Sequence, residues 1–137
     1  MKIEIKITDT TNVKFPIVIK DNRGNEIYKQ DSNGYWCEST YDDNNNKLTF
    51  KNSDGYWCES TYDDNGNGLT YKNSYGDWWE STYDNNNNEL TYKTSFGYYK
   101  IKGKQVTKKE YEAFVNPIPE YTMEELVAKL GNFKIKK

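Results

Sequence analysis

Three consecutive segments of 21 residues align without a gap: SNGYWCESTYDDNNNKLTFKN at 32–52, SDGYWCESTYDDNGNGLTYKN at 53–73 and SYGDWWESTYDNNNNELTYKT at 74–94. The first two share 17 of 21 residues and the second and third share 14. A fourth unit opens as SFGYYK at Ser95 and then diverges. A degenerate unit precedes the array. The same shift places Phe15 on Trp36, Ile27 on Leu48 and DNRGN at 21–25 on DDNNN at 42–46. Short tandem units bury surface only against their neighbours, and atypical units at the two ends act as caps. Most folds built on long-range contacts are thereby excluded.

Each unit reads as two strands, 35–41 and 47–52 in the first. In the second unit Asn65-Gly66 separates them, a pair suited to a two-residue type I′ turn. Asn44-Asn45, Asn86-Asn87 and Arg23-Gly24 stand at the same place. This turn predicts Asp64 opposite Asn67, Tyr62 opposite Leu69, Thr61 opposite Thr70 and Glu59 opposite Lys72. It also sets Glu38 against Lys51 and Glu80 against Lys93, opposite-charge pairs worth ~0.2–1 kcal/mol each. Between units, residues 53–55 predict a three-residue loop with Gly55 left-handed, which places Phe50 across from Cys58 and Lys51 across from Trp57. Alternation then separates two faces. Face one carries Tyr35, Cys37, Tyr41, Leu48, Phe50 and their equivalents, and is the expected core. Face two carries Trp36, Glu38, Thr40, Thr49, Lys51 and their equivalents.

Leu, Ile, Val and Phe number only 24 of 137 residues, so the 13 Tyr and 4 Trp must supply apolar area. Aromatics favour a sheet over a helical bundle. Residues 1–7 alternate apolar and charged and read as a strand, as do 13–20 around Pro16. A last hairpin turns at Lys102-Gly103. Two capping boxes follow, Thr107 with Glu110 and Thr122 with Glu125, each opening a short helix. Residues 133–137 read as a final strand. The expected fold is mainly β: an antiparallel hairpin-repeat meander, curled, with its concave side filled by its own aromatics and a small C-terminal helical cap. It divides into an N-terminal β cap (1–31), the repeats (32–94) and a partial repeat plus helical segment (95–137), all one structural domain. No apolar run exceeds three residues, so neither a spanning segment nor a leader is expected, and the chain is expected in the cytoplasm.

Chemistry is scarce. There is no His, which removes the commonest general base and metal ligand. Asp63-x-Asn65-x-Asn67-Gly68 copies the start of a calcium loop, but its twelfth position is Ser74 rather than Glu. Turn chemistry explains it, and no metal or cofactor is expected. Cys37 and Cys58 occupy equivalent strands with one strand between them, ~9.6 Å apart, beyond disulfide reach. They are expected to be buried free thiols. Asp42-Asp43 and Asp63-Asp64 sit at turns, where solvent denies a carboxyl the raised pKa that acid–base catalysis uses. No enzyme is expected. The row Trp36, Trp57, Trp78 and Tyr99 lies on one face at a pitch of ~9.6 Å. Lys51, Lys72 and Lys93 stand in register between its members. Two explanations stay open: a second layer buries the row, or the row meets a partner.

The pattern carried by Gly55, Tyr62, Asp63, Gly66, Leu69 and Tyr71 is similar to the YD repeats of Rhs proteins, over residues 13–100. Choline-binding and MORN-type repeats are looser likenesses. Rhs repeats form a shell around a toxin, a role three to five units are too few to fill. The C-terminal stretch TKKEYEAF, then YTMEELVAKLG, resembles small proteins of phages and mobile elements. The scarce chemistry and the regular aromatic and acidic surfaces read as a non-enzymatic protein-binding repeat protein. A phage origin implies an inhibitor of a host defence complex of the anti-CRISPR kind, acting in the host cytoplasm. Residues 32–94 carry net −7, which suits a basic partner groove and disfavours direct nucleic-acid binding. The expected contact residues are Trp36, Trp57, Trp78, Tyr99, Glu38, Glu59, Glu80, Lys51, Lys72, Lys93, Asp42, Asp43, Asp63 and Asp64. The alternative is a carbohydrate or cell-wall module using the Trp row.

Overall fold

A computed structural model describes residues 12–131. The strands expected at 1–7 and 133–137 lie outside the described residues. Ten strands form one antiparallel sheet in strict chain order. They are β1 (Ile17–Lys20), β2 (Glu26–Gln30), β3 (Trp36–Tyr41), β4 (Lys47–Asn52), β5 (Trp57–Tyr62), β6 (Gly68–Asn73), β7 (Trp78–Tyr83), β8 (Glu89–Thr94), β9 (Tyr99–Ile101) and β10 (Lys104–Val106). Two helices follow, α1 (Lys108–Val115) and α2 (Met123–Leu130). Both open with the predicted capping boxes at Thr107 and Thr122. The meander is open rather than closed into a barrel.

The predicted pairing holds through the strand centres. Glu38 faces Lys51, Glu59 faces Lys72, Thr61 faces Thr70, and Glu80 faces Lys93. Phe50 faces Cys58 and Lys51 faces Trp57. Near the within-unit turns it fails. Tyr62 pairs with Gly68, and Leu69 is the extra residue of a bulge. Leu48, Leu90 and Ile27 bulge at the equivalent places.

The turn itself explains the miss. The Asp63 amide donates to the Asn67 carbonyl, and the Gly66 amide donates to the Asp63 carbonyl. This is a three-residue loop with one left-handed residue, Gly66, at φ 83°. Asn45 and Asn87 hold that conformation in the neighbouring units. The between-unit turns close identically, from Asn52 to Tyr56 and from Asn73 to Asp77. A type I′ turn needs positive φ at two adjacent positions, which occurs only at Lys102-Gly103 among the described residues.

Pairing also sets a stagger. Glu38, Lys51 and Trp57 line up across three strands, as do Glu59, Lys72 and Trp78. Trp57 therefore stands level with Glu38, two residues beyond its equivalent Trp36. Each unit steps about 7 Å along the strand while advancing ~9.6 Å across, so the Trp pitch is about 12 Å. Each Lys is in register with the following Trp and two residues off the preceding one.

Among the described residues no second layer covers face one. Its rings contact one another across neighbouring strands. Tyr71 stacks on Trp79 at 6.2 Å, Trp79 meets Tyr92 at 6.1 Å, and Phe50 meets Tyr56 at 6.1 Å. Small residues hide beneath, with Ser39 and Ser81 buried. Face one is thus a half-covered aromatic pavement, and Cys37 and Cys58 are free but only half-buried. Helix α1 rests on face two rather than filling a concave face one, its Tyr111 ring 5.1 Å from Tyr99. The aliphatic content is too small for a separate core layer. Among the described residues Tyr28 and Tyr111 are the buried hydrophobic ones. Among the described residues no helix is long and apolar enough to cross a membrane.

Candidate functional site

Strand alternation and the Trp-x-Glu-x-Thr sequence bring one set of side chains per unit to face two. Lys51 and Glu38 are paired at 3.1 Å, Lys72 and Glu59 at 3.0 Å, and Lys93 and Glu80 at 3.1 Å. The hydroxyls of Thr40 and Thr49, and of Thr61 and Thr70, are hydrogen-bonded at 2.6 Å. Each ion pair has at least one partner about half-exposed, so solvent screens it and it contributes little stability. They tie each lysine end to the glutamate opposite it on face two.

The aromatic row is covered at both ends and open in the middle. At the N-terminal end Tyr28 stacks almost parallel to Trp36, centroids 6.5 Å apart. At the other end Tyr111 covers Tyr99. Trp57 and Trp78 between them each keep 38% of their surface exposed. Lys93 lies between two rings, 5.7 Å from Trp78 and 6.0 Å from Tyr111. Its hydrogen bond to Glu80 raises its pKa above the ordinary lysine value, outweighing partial burial.

The aspartates divide by role. Asp42 and Asp63 are half-buried in their own turns rather than presented outward. One carboxylate oxygen of Asp63 accepts from the Asn65 and Asn67 amides at 2.9 Å, and the other accepts from the Asn67 side chain at 3.0 Å. Asp42 does the same with Asn44 and Asn46. Asp43 and Asp64 are exposed. Sequence reasoning missed that the asparagines also join neighbouring turns. Asn25 donates to Asn45 at 2.8 Å, and Asn65 and Asn67 both donate to Asn87 at 3.0 Å. Their abundance was the signal. It also missed Tyr28 and Tyr111 as the covers of the row.

The turn hydrogen bonds hold Asp42, Asp63 and Asp84 below the ordinary aspartate value; for Asp63 the Asn67 side chain is the largest cause. A carboxylate whose pKa is depressed by folding stabilises the fold above the unfolded value of ~3.9, and that stabilisation disappears as pH falls through the folded value. Asn52 and Asn73 cap the opposite rim without charge. Asp42→Asn, Asp63→Asn and Asp84→Asn together are therefore expected to keep the turns and flatten the decline in stability below about pH 4. Urea midpoints across that window check this; an unchanged slope contradicts it.

Among the described residues no group of His, Cys, Asp and Glu is arranged to hold a metal ion. Compared with known proteins, the chain matches no family model and no curated protein.

Proposed function

We propose that the chain is a non-enzymatic protein-binding repeat protein whose partner sits on face two, across Trp57 and Trp78. The observation that carries this is their 38% exposure in the middle of a row whose two ends are covered by tyrosines. A hydrogen-bonded sheet holds these rings rigid, so little side-chain entropy is lost on binding. Tyr and Trp presented this way are the usual energetic anchors of interfaces. The net −7 of residues 32–94 and the exposed Asp43 and Asp64 on one rim favour a basic surface around the anchor contacts. An inhibitor of a nucleic-acid-handling host defence complex, encoded by a phage, fits that sign and is the biological role we propose.

Trp57→Ala with Trp78→Ala is expected to abolish partner capture from a bacterial lysate. Because the rings are only partly covered, each truncation should cost about 1–2 kcal/mol, against ~3–5 for a Trp in a closed core. The variant should remain folded by circular dichroism. A folded double variant that still captures the same protein removes the row from function and moves attention to Asp43 and Asp64. The same exposed rings beside Glu59 and Glu80 would also suit a sugar platform. Binding on a glycan array with nothing captured from lysate favours that second reading.

A further inference from the structure

Three depressions follow one another at equivalent positions along face two. The first is bordered on this face by Glu38, Thr40, Thr49, Lys51, Trp57 and Glu59, and it belongs to a larger hollow that also reaches Phe50, Tyr56 and Cys58 of face one. The second, of about 490 Å3, repeats it 21 residues on, with Glu59, Thr61, Thr70, Lys72, Trp78 and Glu80. The same shift defines a third, around Thr91, Lys93 and Tyr99, and Tyr111 of α1 occupies it. Occupation changes its floor. Thr91 is buried, whereas Thr49 and Thr70 are half-exposed. The Lys93 side chain keeps 32% of its surface, against 51% for Lys51 and 61% for Lys72.

The N-terminal end gives a second, independent instance. Tyr28 pairs with Glu38 as Thr49 pairs with Glu59 and Thr70 with Glu80. Where the first position holds a tyrosine, its ring lies on Trp36. Where the next two hold threonine, the space beside Trp57 and Trp78 stays open. The chain thus closes this row with tyrosine wherever it closes it, once from the sheet and once from a helix.

We infer that the two open depressions take two tyrosine side chains from one helix of a protein partner, each lying against an indole beside a lysine as Tyr111 lies against Tyr99 beside Lys93. The inference rests on the partner-binding reading of this face and gives that partner a chemistry. A tyrosine ring offers its face to the Lys ammonium and keeps its hydroxyl at the wet rim. Spacing selects the register. The depressions are about 12 Å apart along the slanted row, and two helical turns rise ~10.8 Å. Tyrosines seven positions apart on one helix face match that distance, and flexible side chains cover the difference.

The test uses the intact protein and an alanine-rich, Glu/Lys-containing helical peptide with two tyrosines seven positions apart. Binding is read from the indole N–H resonances of Trp57 and Trp78. The two-tyrosine peptide is expected to bind at least tenfold tighter than peptides with either tyrosine replaced by alanine. Thr49→Tyr with Thr70→Tyr, which fills both depressions as Tyr28 fills the space at Trp36, is expected to abolish binding without lowering the melting temperature. Lys51→Ala with Lys72→Ala, exposed changes that leave the strands intact, is expected to weaken it at least tenfold. Equal binding of the tyrosine-free peptide, or undiminished binding to the filled variant, overturns the inference. A natural partner captured through Trp57 and Trp78 without a tyrosine-bearing helix at the contact also overturns it, while leaving the partner-binding reading intact.

Discussion

Tyr28→Ala is expected to be the most damaging single substitution, costing about 3–5 kcal/mol. Tyr28 is 4% exposed in a protein whose sheet has few buried side chains. Its ring stacks on Trp36, and its hydroxyl donates to Gln30 at 2.7 Å. Truncation removes the ring, uncovers the indole and leaves the Gln30 side chain without that donor. Against a typical total of ~5–15 kcal/mol, that is a large fraction. The damage should also be local, because each strand pairs only with its neighbours in sequence and stability in such arrays is a sum of neighbour terms. Hydrogen exchange should accelerate first in β1–β3, with β6–β9 protected to higher denaturant. Uniform loss of protection over all ten strands would contradict this neighbour-limited picture.

The second large effect is a coupling. A Cβ added at Gly68 would stand 2.9 Å from Cη2 of Trp79. Trp79 cannot easily yield, because Tyr71 and Tyr92 flank its ring. In the preceding unit the equivalent residues are Lys47 and Cys58, a large residue matched with a small one. Gly68→Lys alone is expected to cost about 1–3 kcal/mol by overpacking. In a Trp79→Cys background the same change should be neutral or favourable, since a strand glycine is itself unfavourable. The double-mutant cycle should return a coupling of about 1–3 kcal/mol. Additive effects would mean that the indole moves aside at little cost.

Much of this architecture was legible because the repeat supplies three independent readings of one pattern. Glu38, Glu59 and Glu80 all found their lysines, and the 53–55 loop closed as expected. The two-residue turn expected at Asn65-Gly66 gives way to a three-residue loop because of the residue before that loop. Asp63 accepts hydrogen bonds from the amides two and four residues on, and that interaction selects one left-handed residue, Gly66, instead of two. The same arrangement was already visible in Asn52 to Gly55. The chain's own aromatics do line face one, but the expectation that a C-terminal helix joins them fails for α1, for a different reason. Alternation assigns residues to faces but does not say whether anything covers a face. Tyr and Trp can cover one face of a sheet by packing ring against ring across neighbouring strands, as Tyr71, Trp79 and Tyr92 do. The place of α1 was not legible, because nothing in the spacing of Tyr111 tells which side of the sheet it will meet.

Strict chain-order pairing has a consequence for how such a protein can change over generations. Deleting or duplicating one whole unit joins a β4-type strand to a β5-type strand through the same Asn52-like turn. The new junction keeps the same turn and strand register, and it packs as before wherever the residues at the Gly68 and Trp79 positions stay matched in size. Unequal recombination between near-identical units can therefore lengthen or shorten the row while both terminal covers remain in place. Each such event adds or removes one interior indole with its lysine, so the reach of the surface can adjust in discrete steps, without any residue having to mutate.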